Sequence, residues 1–224
     1  GRAAAAQRLK QEGNAMYSAG DYAGAARCYT VAIAATPGDP VFWSNRAAAW
    51  IQLSRFEAAL QDSLQSTKLD PTFVKGHLRA GRSSLALGRI ECAKMHFEEA
   101  LRHAAAAQAS LKENSGDDVN VVVQKAAQQG LAQCSRLDGL LSDGRAHLVT
   151  SAWEAALEAA HKALALAPMS AESNWLKADA LICGKRFEEA AQFCRKRVNV
   201  AWATPSDSTA QSAAAGASEA SAGA

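Results

Sequence analysis

The sequence has no CxxC pair, no glycine-rich phosphate loop, no Gly-x-Ser-x-Gly elbow and no acid pair in a recognisable frame. These absences exclude metal-ribbon, nucleotide-hydrolysing and esterase-type readings, and no enzyme is expected. It also lacks a secretory leader and any apolar run of membrane-spanning length, so a soluble chain without membrane contact is expected. The five cysteines, Cys28, Cys92, Cys134, Cys183 and Cys194, are an odd number spread along the chain. That pattern suits a reducing, cytoplasmic setting better than a disulfide framework. Histidine is equally sparse. His96 and His103 are seven residues apart and share a helix face, but no third ligand stands at usable spacing, so neither a metal nor any other cofactor is expected. His147 and His161 are read as surface or packing residues. The run Arg195-Lys196-Arg197 has no interleaved aromatics and the formal net charge is only +2. It reads as a solvated helix end, and no nucleic-acid partner is expected.

What the chain does have is alanine and a period. Hydrophobic residues make up 49% of its 224 positions, enough for a core, and the alanine share favours helix over sheet. Ala25, Ala59 and Ala93 are 34 residues apart, as are Gly13, Ala47 and Gly81, with Pro37 and Pro71 in the same register. A repeat of this length predicts stacked helical hairpins, because it has room for two helices and their turns. Leu9, Met16, Tyr22, Ala25, Tyr29 and Ala32 mark apolar helix faces interrupted at Gly20-Asp21. Trp43, Trp50, Phe56, Ala59 and Leu60 repeat the pattern, and it ends at Leu69-Asp70-Pro71. Proline cannot continue a helix and so closes each unit.

The stretches GNAMYSAGDYAGAARCYTVAIAATPGDP (13–40) and SNRAAAWIQLSRFEAALQDSLQSTKLDP (44–71) resemble tetratricopeptide repeats. Small residues stand where paired helices must approach closely, leaving space for the bulky Tyr29 and Trp50. A third unit runs from Val74 to about Ala107, with Ala105 where a closing proline would stand. The expected fold is therefore all-α, a helical-hairpin solenoid of about five repeats in two arrays. The expected organisation is a three-repeat array at 6–107, a capping or linking helix at 108–136 and two further repeats at 137–202. Within the link, the Asn-Ser-Gly-Asp-Asp cluster reads as a turn. In the second array Trp153, Ala156, Ala160, Ala163 and Pro168 are matched 34 residues later by Phe187, Ala190, Cys194, Arg197 and Trp202. The Ala/Ser-rich stretch 203–224, with two acids and no large apolar residue, is expected to be disordered. Gly1 opens the chain without an initiator methionine, as expected of either a fragment or a processed chain.

Five polar residues carry the functional reading. Lys10 and Asn14 are i and i+4 on the first helix of unit one, Lys75 and Arg79 are i and i+4 on the first helix of unit three, and Asn45 lies on the corresponding helix between them. Each pair shares a helix face. Three cations and two amides suit a peptide's terminal carboxylate and a neighbouring acid, since charge-assisted hydrogen bonds are the strong ones. The pattern is similar to the dicarboxylate clamp of tetratricopeptide co-chaperones. That resemblance implies binding of the C-terminal Glu-Glu-Val-Asp tail of cytosolic heat-shock chaperones through these five residues. A finer resemblance, strong over the first hundred residues and carried by FVKGHLRAGRSSLALGR (73–89) and the extra repeats, is to cytosolic J-domain co-chaperones with two such arrays. The chain contains no His-Pro-Asp tripeptide, so the J-domain function is not credited to it.

The second array offers Leu141 and Arg145 where the first has Lys10 and Asn14, and Glu172 and Leu176 where it has Lys75 and Arg79. It is not expected to bind the same terminus. Its apolar surface is expected to pack on further repeats or to contact unfolded client protein. The competing reading is a general scaffold that binds protein without needing a free C-terminus.

Overall fold

The computed structural model describes residues 1–110 and 118–202. These form ten helices and, among the described residues, no strand. They pair as five hairpins: α1 (Arg2–Ser18) with α2 (Tyr22–Ala35), α3 (Pro40–Gln52) with α4 (Phe56–Leu69), α5 (Val74–Ala86) with α6 (Ile90–Ser110), α7 (Asp118–Val149) with α8 (Trp153–Leu166), and α9 (Ala171–Cys183) with α10 (Phe187–Trp202). The expected all-α hairpin solenoid is the observed architecture. The expected disordered stretch 203–224 and residues 114–117 of the expected turn cluster 114–118 lie outside the described residues.

The hairpin turns share one conformation. Gly20, Ser54 and Gly88 all have positive φ (84°, 58° and 76°), as do Ser151 and Lys185 (58° each). In each case the next residue's N–H closes a six-residue loop onto the preceding helix, as in Asp21 to Met16 O at 2.9 Å and Arg89 to Ser84 O at 2.8 Å. This is the left-handed helix stop, for which glycine carries no steric cost and other residues do. Side-chain caps begin several helices: Asp21 accepts from Gly24 N at 2.7 Å and Asp39 from Val41 N at 2.9 Å, with Pro40 already set for the first turn.

Small residues on the first helix of a hairpin make room for a ring on the second. A Cβ at Gly13 would lie 2.7 Å from Tyr29 Cε1, and one at Gly81 would lie 2.7 Å from Phe97 Cε1. The middle hairpin has Ala47 at the same position, fully buried, with Ser63 at the position of the two rings and fully buried too. Within α3 the buried residues are Phe42, Ser44, Ala47 and Ala49, whereas Trp43 and Trp50 are only half-buried. Trp43 keeps its Nε1 donating to Pro37 O at 2.9 Å, and guanidinium groups of Arg46 and Arg55 lie over Trp43 and Trp50 at 5.1 and 5.2 Å. The indoles thus cover the core edge, each under a guanidinium, with the Trp43 N–H also hydrogen-bonded.

The segment 108–136 and the unit expected to start at 137 are not separated by a break, since position 136 falls inside α7. Leu78, Leu85, Phe97, Ala127, Cys134, Leu137, Leu141, Ala160 and Leu176 belong to one continuous core running from α5 to α9. Phe97 fills a slot between Gly81 and Gly130, where a Cβ on Gly130 would come within 2.6 Å of its ring. The backbone N–H of Met169, in the α8–α9 turn, donates to Ala86 O at 2.9 Å. Ser170 then packs on Gly88, leaving no room there for a Cβ.

Candidate functional site

The first helices α1, α3 and α5 present their polar faces to one groove. Lys10, Asn14, Asn45 and Lys75 line a cavity of about 570 Å³ together with Val41, Asp70, Thr72, Phe73, Val74 and Val123. Arg79 lines an adjoining cavity of about 340 Å³ with Tyr17, Ser18, Tyr29 and Ala48. Asn14 and Asn45 border both. The five candidate residues are therefore brought together around two contiguous hollows, with the asparagines at the joint. Volumes of this size suit a short peptide end.

The polar contacts decide which atoms face outward. Asn14 Oδ1 accepts from Tyr29 Oη at 2.8 Å. Asn45 Oδ1 accepts from Arg79 Nη1 at 3.4 Å, and the same guanidinium nitrogen donates to Ser44 Oγ. Both asparagine carbonyls are thus occupied from inside the fold, which leaves their NH₂ groups as the donors available to a ligand. Burial pushes the Tyr29 phenol up, against the pull of Arg79, so at neutral pH it remains the donor in its bond to Asn14.

Lys10, Lys75 and Arg79 take part in no ion pair among the described residues. Arg79 is half-buried, and burial lowers its guanidinium to about 10, with the neighbouring Tyr17 and Tyr29 opposing the fall and Arg82 adding to it. It stays cationic at neutral pH. The acid in the groove, Asp70, is turned inward on its own loop, accepting from Thr72 N at 2.9 Å and Thr72 Oγ1 at 2.7 Å. An un-neutralised cluster of cations and amide donors over an apolar floor is a receptor for an anion with an apolar neighbour.

Several contributors were not visible in the sequence. Ser44 is fully buried and supports Arg79. Val123 reaches the groove from α7, outside the repeat register. Arg46 adjoins Asn45 but is withdrawn from the ligand, since it forms a two-pronged bond to the buried Asp62 at 2.7 and 2.8 Å and a third to Thr30 at 3.0 Å. His96 and His103 are joined by His77 from α5: His77 Nδ1 lies 3.3 Å from His96 Nδ1, and the rings of His77 and His103 stack at 5.6 Å. Among the described residues no group of three or more His, Cys, Asp or Glu side chains is arranged to hold a metal ion.

The equivalent positions of the second half are spent on structure. Leu141 and Leu176 are buried in the core, with Leu176 packed against Gly144, and Arg145 pairs with Glu172 at 2.9 Å. The hollow there is lined by Leu148, Trp175 and Asp179 as well.

Comparison with known proteins follows the same outline. The model of the tetratricopeptide repeat family matches residues 10–72 and 141–198. Over 96 residues the chain is 44% identical to DnaJ homolog subfamily C member 7 of Mus musculus, an alignment covering 43% of this chain and 19% of that protein. It is 38% identical over 96 residues to the Hsp70-Hsp90 organizing protein of Triticum aestivum, covering 43% and 16%. It is 36% identical over 133 residues to heat shock protein STI1 of Saccharomyces cerevisiae, covering 58% and 20%. The chain thus spans a fifth or less of the length of these relatives. In fold, it is similar to the crystal structure of the P58(IPK) TPR domain, with a TM-score of 0.69 at 20% identity over 87% of this chain and 50% of that one. Among the described residues no helix is long and apolar enough to cross a membrane.

Proposed function

The chain belongs to the tetratricopeptide-repeat family, and on that footing we propose that it is a non-enzymatic, cytoplasmic co-chaperone adaptor that captures the free C-terminal Glu-Glu-Val-Asp tail of heat-shock chaperones. The observation that carries this reading is the groove between α1, α3 and α5. There Lys10, Lys75 and Arg79 stand without carboxylate partners, and both asparagine carbonyls are tied back into the fold. Lys10, Asn14, Asn45 and Lys75 hold the terminal carboxylates, while Arg79 supports Asn45 and supplies positive charge at the joint of the two hollows. Val41, Phe73, Val74 and Val123 receive the apolar residue beside the acids. The wheat relative's name, Hsp70-Hsp90 organizing protein, agrees with such a partner.

In this reading residues 6–107 form the clamp array and 137–202 a second array with a different ligand or none, while 108–136 closes the clamp groove through Val123. Affinity is set in the micromolar range, about 8 kcal/mol, because few residues engage and a flexible tail must be ordered. The test is fluorescence anisotropy of a labelled peptide ending in Glu-Glu-Val-Asp beside the same peptide amidated at its C-terminus. Micromolar binding lost on amidation supports the adaptor. Equal binding of both peptides favours a general scaffold that ignores the free terminus.

A further inference from the structure

The run Arg195-Lys196-Arg197, read from the sequence as a solvated helix end, is exposed at Arg195 and Lys196 and half-buried at Arg197. Lys196 joins a small hollow of about 240 Å³ formed by three helices: Leu157 and His161 from α8, Lys177 and Leu181 from α9, and Glu189, Gln192 and Phe193 from α10, with Arg186 from the turn before it. Arg197 stands at its edge, its guanidinium carbon 5.6 Å from the Phe193 ring centroid. Lys177 Nζ lies 4.6 Å from the same centroid. One aromatic ring is therefore shared by two cations from different helices.

The acid in this hollow, Glu189, is consumed by Arg186, which grips both its oxygens at 2.7 and 2.6 Å. On α8, Glu158 is paired with Lys162 at 2.7 Å. Lys177, Lys196 and Arg197 have no carboxylate partner among the described residues. Burial and then Arg197 hold Lys177 below its ordinary range, with Glu189 opposing, and burial followed by Lys177 and Arg186 holds His161 down. Lys177 and Arg197 are half-buried while His161 and Lys196 are exposed; cations gathered around a cavity without carboxylate partners attract an anion. The hollow is below the usual size of small-molecule sites, so it fits one anionic head and not a whole ligand. Gln192 adds a neutral donor.

We propose that the α8–α10 hollow is a second anion site, separate from the carboxylate groove, which takes a tetrahedral oxyanion of the phosphate monoester class on Lys177, Lys196 and His161. A phosphorylated side chain and free phosphate share this chemistry, and the two sources are separable by experiment.

The test is a histidine NMR titration of the full chain with sodium phosphate, against sodium chloride at matched ionic strength. The expected result is a saturable shift of the His161 imidazole with phosphate and a rise in its pKa as the anion offsets Lys177 and Arg186. Lys177→Gln and the exposed Lys196→Gln each weaken the response about fivefold, in line with loss of one partly exposed ionic contact. Glu189→Gln strengthens it, because Arg186 is then released toward the anion, a gain that a merely structural role would not produce. Lys75→Ala in the other groove leaves it unchanged. A C-terminally amidated peptide carrying one phosphoserine, compared with its serine form, assigns the source. Tighter binding than inorganic phosphate identifies a phosphoprotein, and no improvement identifies the free oxyanion. A His161 response to phosphate no larger than to chloride, or one indifferent to Lys196→Gln and Glu189→Gln in variants that keep their amide spectra, overturns the proposal.

Discussion

The hydroxyl of Tyr29, on α2, donates to the side-chain carbonyl of Asn14, on α1, at 2.8 Å. That one bond decides which end of the Asn14 amide meets a ligand. The ring making it is the same ring that fills the space above Gly13, so core packing and groove polarity are set by a single residue.

Tyr29→Phe keeps the ring and removes the hydroxyl. Asn14 is then free to turn its carbonyl oxygen toward an incoming carboxylate, and tail-peptide affinity falls by about 1 kcal/mol, roughly fivefold. Peptide anisotropy with the variant checks this, and unchanged affinity together with an unchanged melting curve would remove Tyr29 from the account.

Lys10→Ala and Lys75→Ala are expected to weaken the peptide by about 1.5 to 3 kcal/mol each if each supplies a charged hydrogen bond. Neither residue has an ion-pair partner among the described residues, so their loss leaves the melting temperature nearly unchanged. Arg79→Ala differs, because it also abandons Ser44 and Asn45 and lowers both affinity and stability. Raising salt weakens the wild-type complex. Full binding by both Lys10→Ala and Arg79→Ala is the outcome that sinks the carboxylate assignment.

Acid stability is controlled by the histidines behind the groove. His77 Nε2 lies 2.9 Å from Pro71 O and so carries a proton, which makes its Nδ1 the acceptor for His96 Nδ1–H. His96 Nε2 is then a buried acceptor with no partner. Burial, followed by His77, pushes His96 down to about 4. Since the unfolded chain takes up this proton near pH 6.5, the contribution is complete above that value. It is lost as pH falls from about 6.5 to 4, by up to about 3 kcal/mol. Urea unfolding of wild type and His96→Leu at pH 7 and pH 5 measures it, and the variant is expected to lose less on acidification.

The left-handed turns give a paired stability test. Gly20 and Gly88 have similar φ, but a Cβ at Gly20 meets open space whereas one at Gly88 lies 2.9 Å from Ser170 Cα. Gly20→Ala is expected to cost about 1 kcal/mol from conformation alone. Gly88→Ala costs about 1 to 3 kcal/mol more, because backbone must shift as well. Thermal denaturation of the two variants side by side decides it.

The repeat register made the hairpins legible, and the five polar residues could be placed on their helices because a fixed period fixes helix faces. The period could not place what arrives from outside it. Val123 enters the groove from α7, and His77 joins His96 across hairpin partners α5 and α6, where position along one helix says nothing about contacts made to the next. Trp43 and Trp50 pack against the core as their apolar faces lead one to expect, but hydrophobicity alone could not say how deeply: Ala47 and Ala49 are fully buried, while the indoles stay half-buried at the rim. Lys196 is exposed, as a charge run at a helix end leads one to expect, but its place beside Lys177 and His161 became visible only with the neighbouring helices in position.

The bond from Met169 N to Ala86 O, with Ser170 seated on Gly88 and Phe97 wedged between α5 and α7, has a mechanical consequence. The hairpin bearing Lys75 is thereby packed directly on the one bearing Lys177, so the two sites stand at a set spacing, like the jaws of a caliper. A partner that touches both must match that gauge in its own length, and shortening the stretch between its two contact points would cost it the second contact while sparing the first.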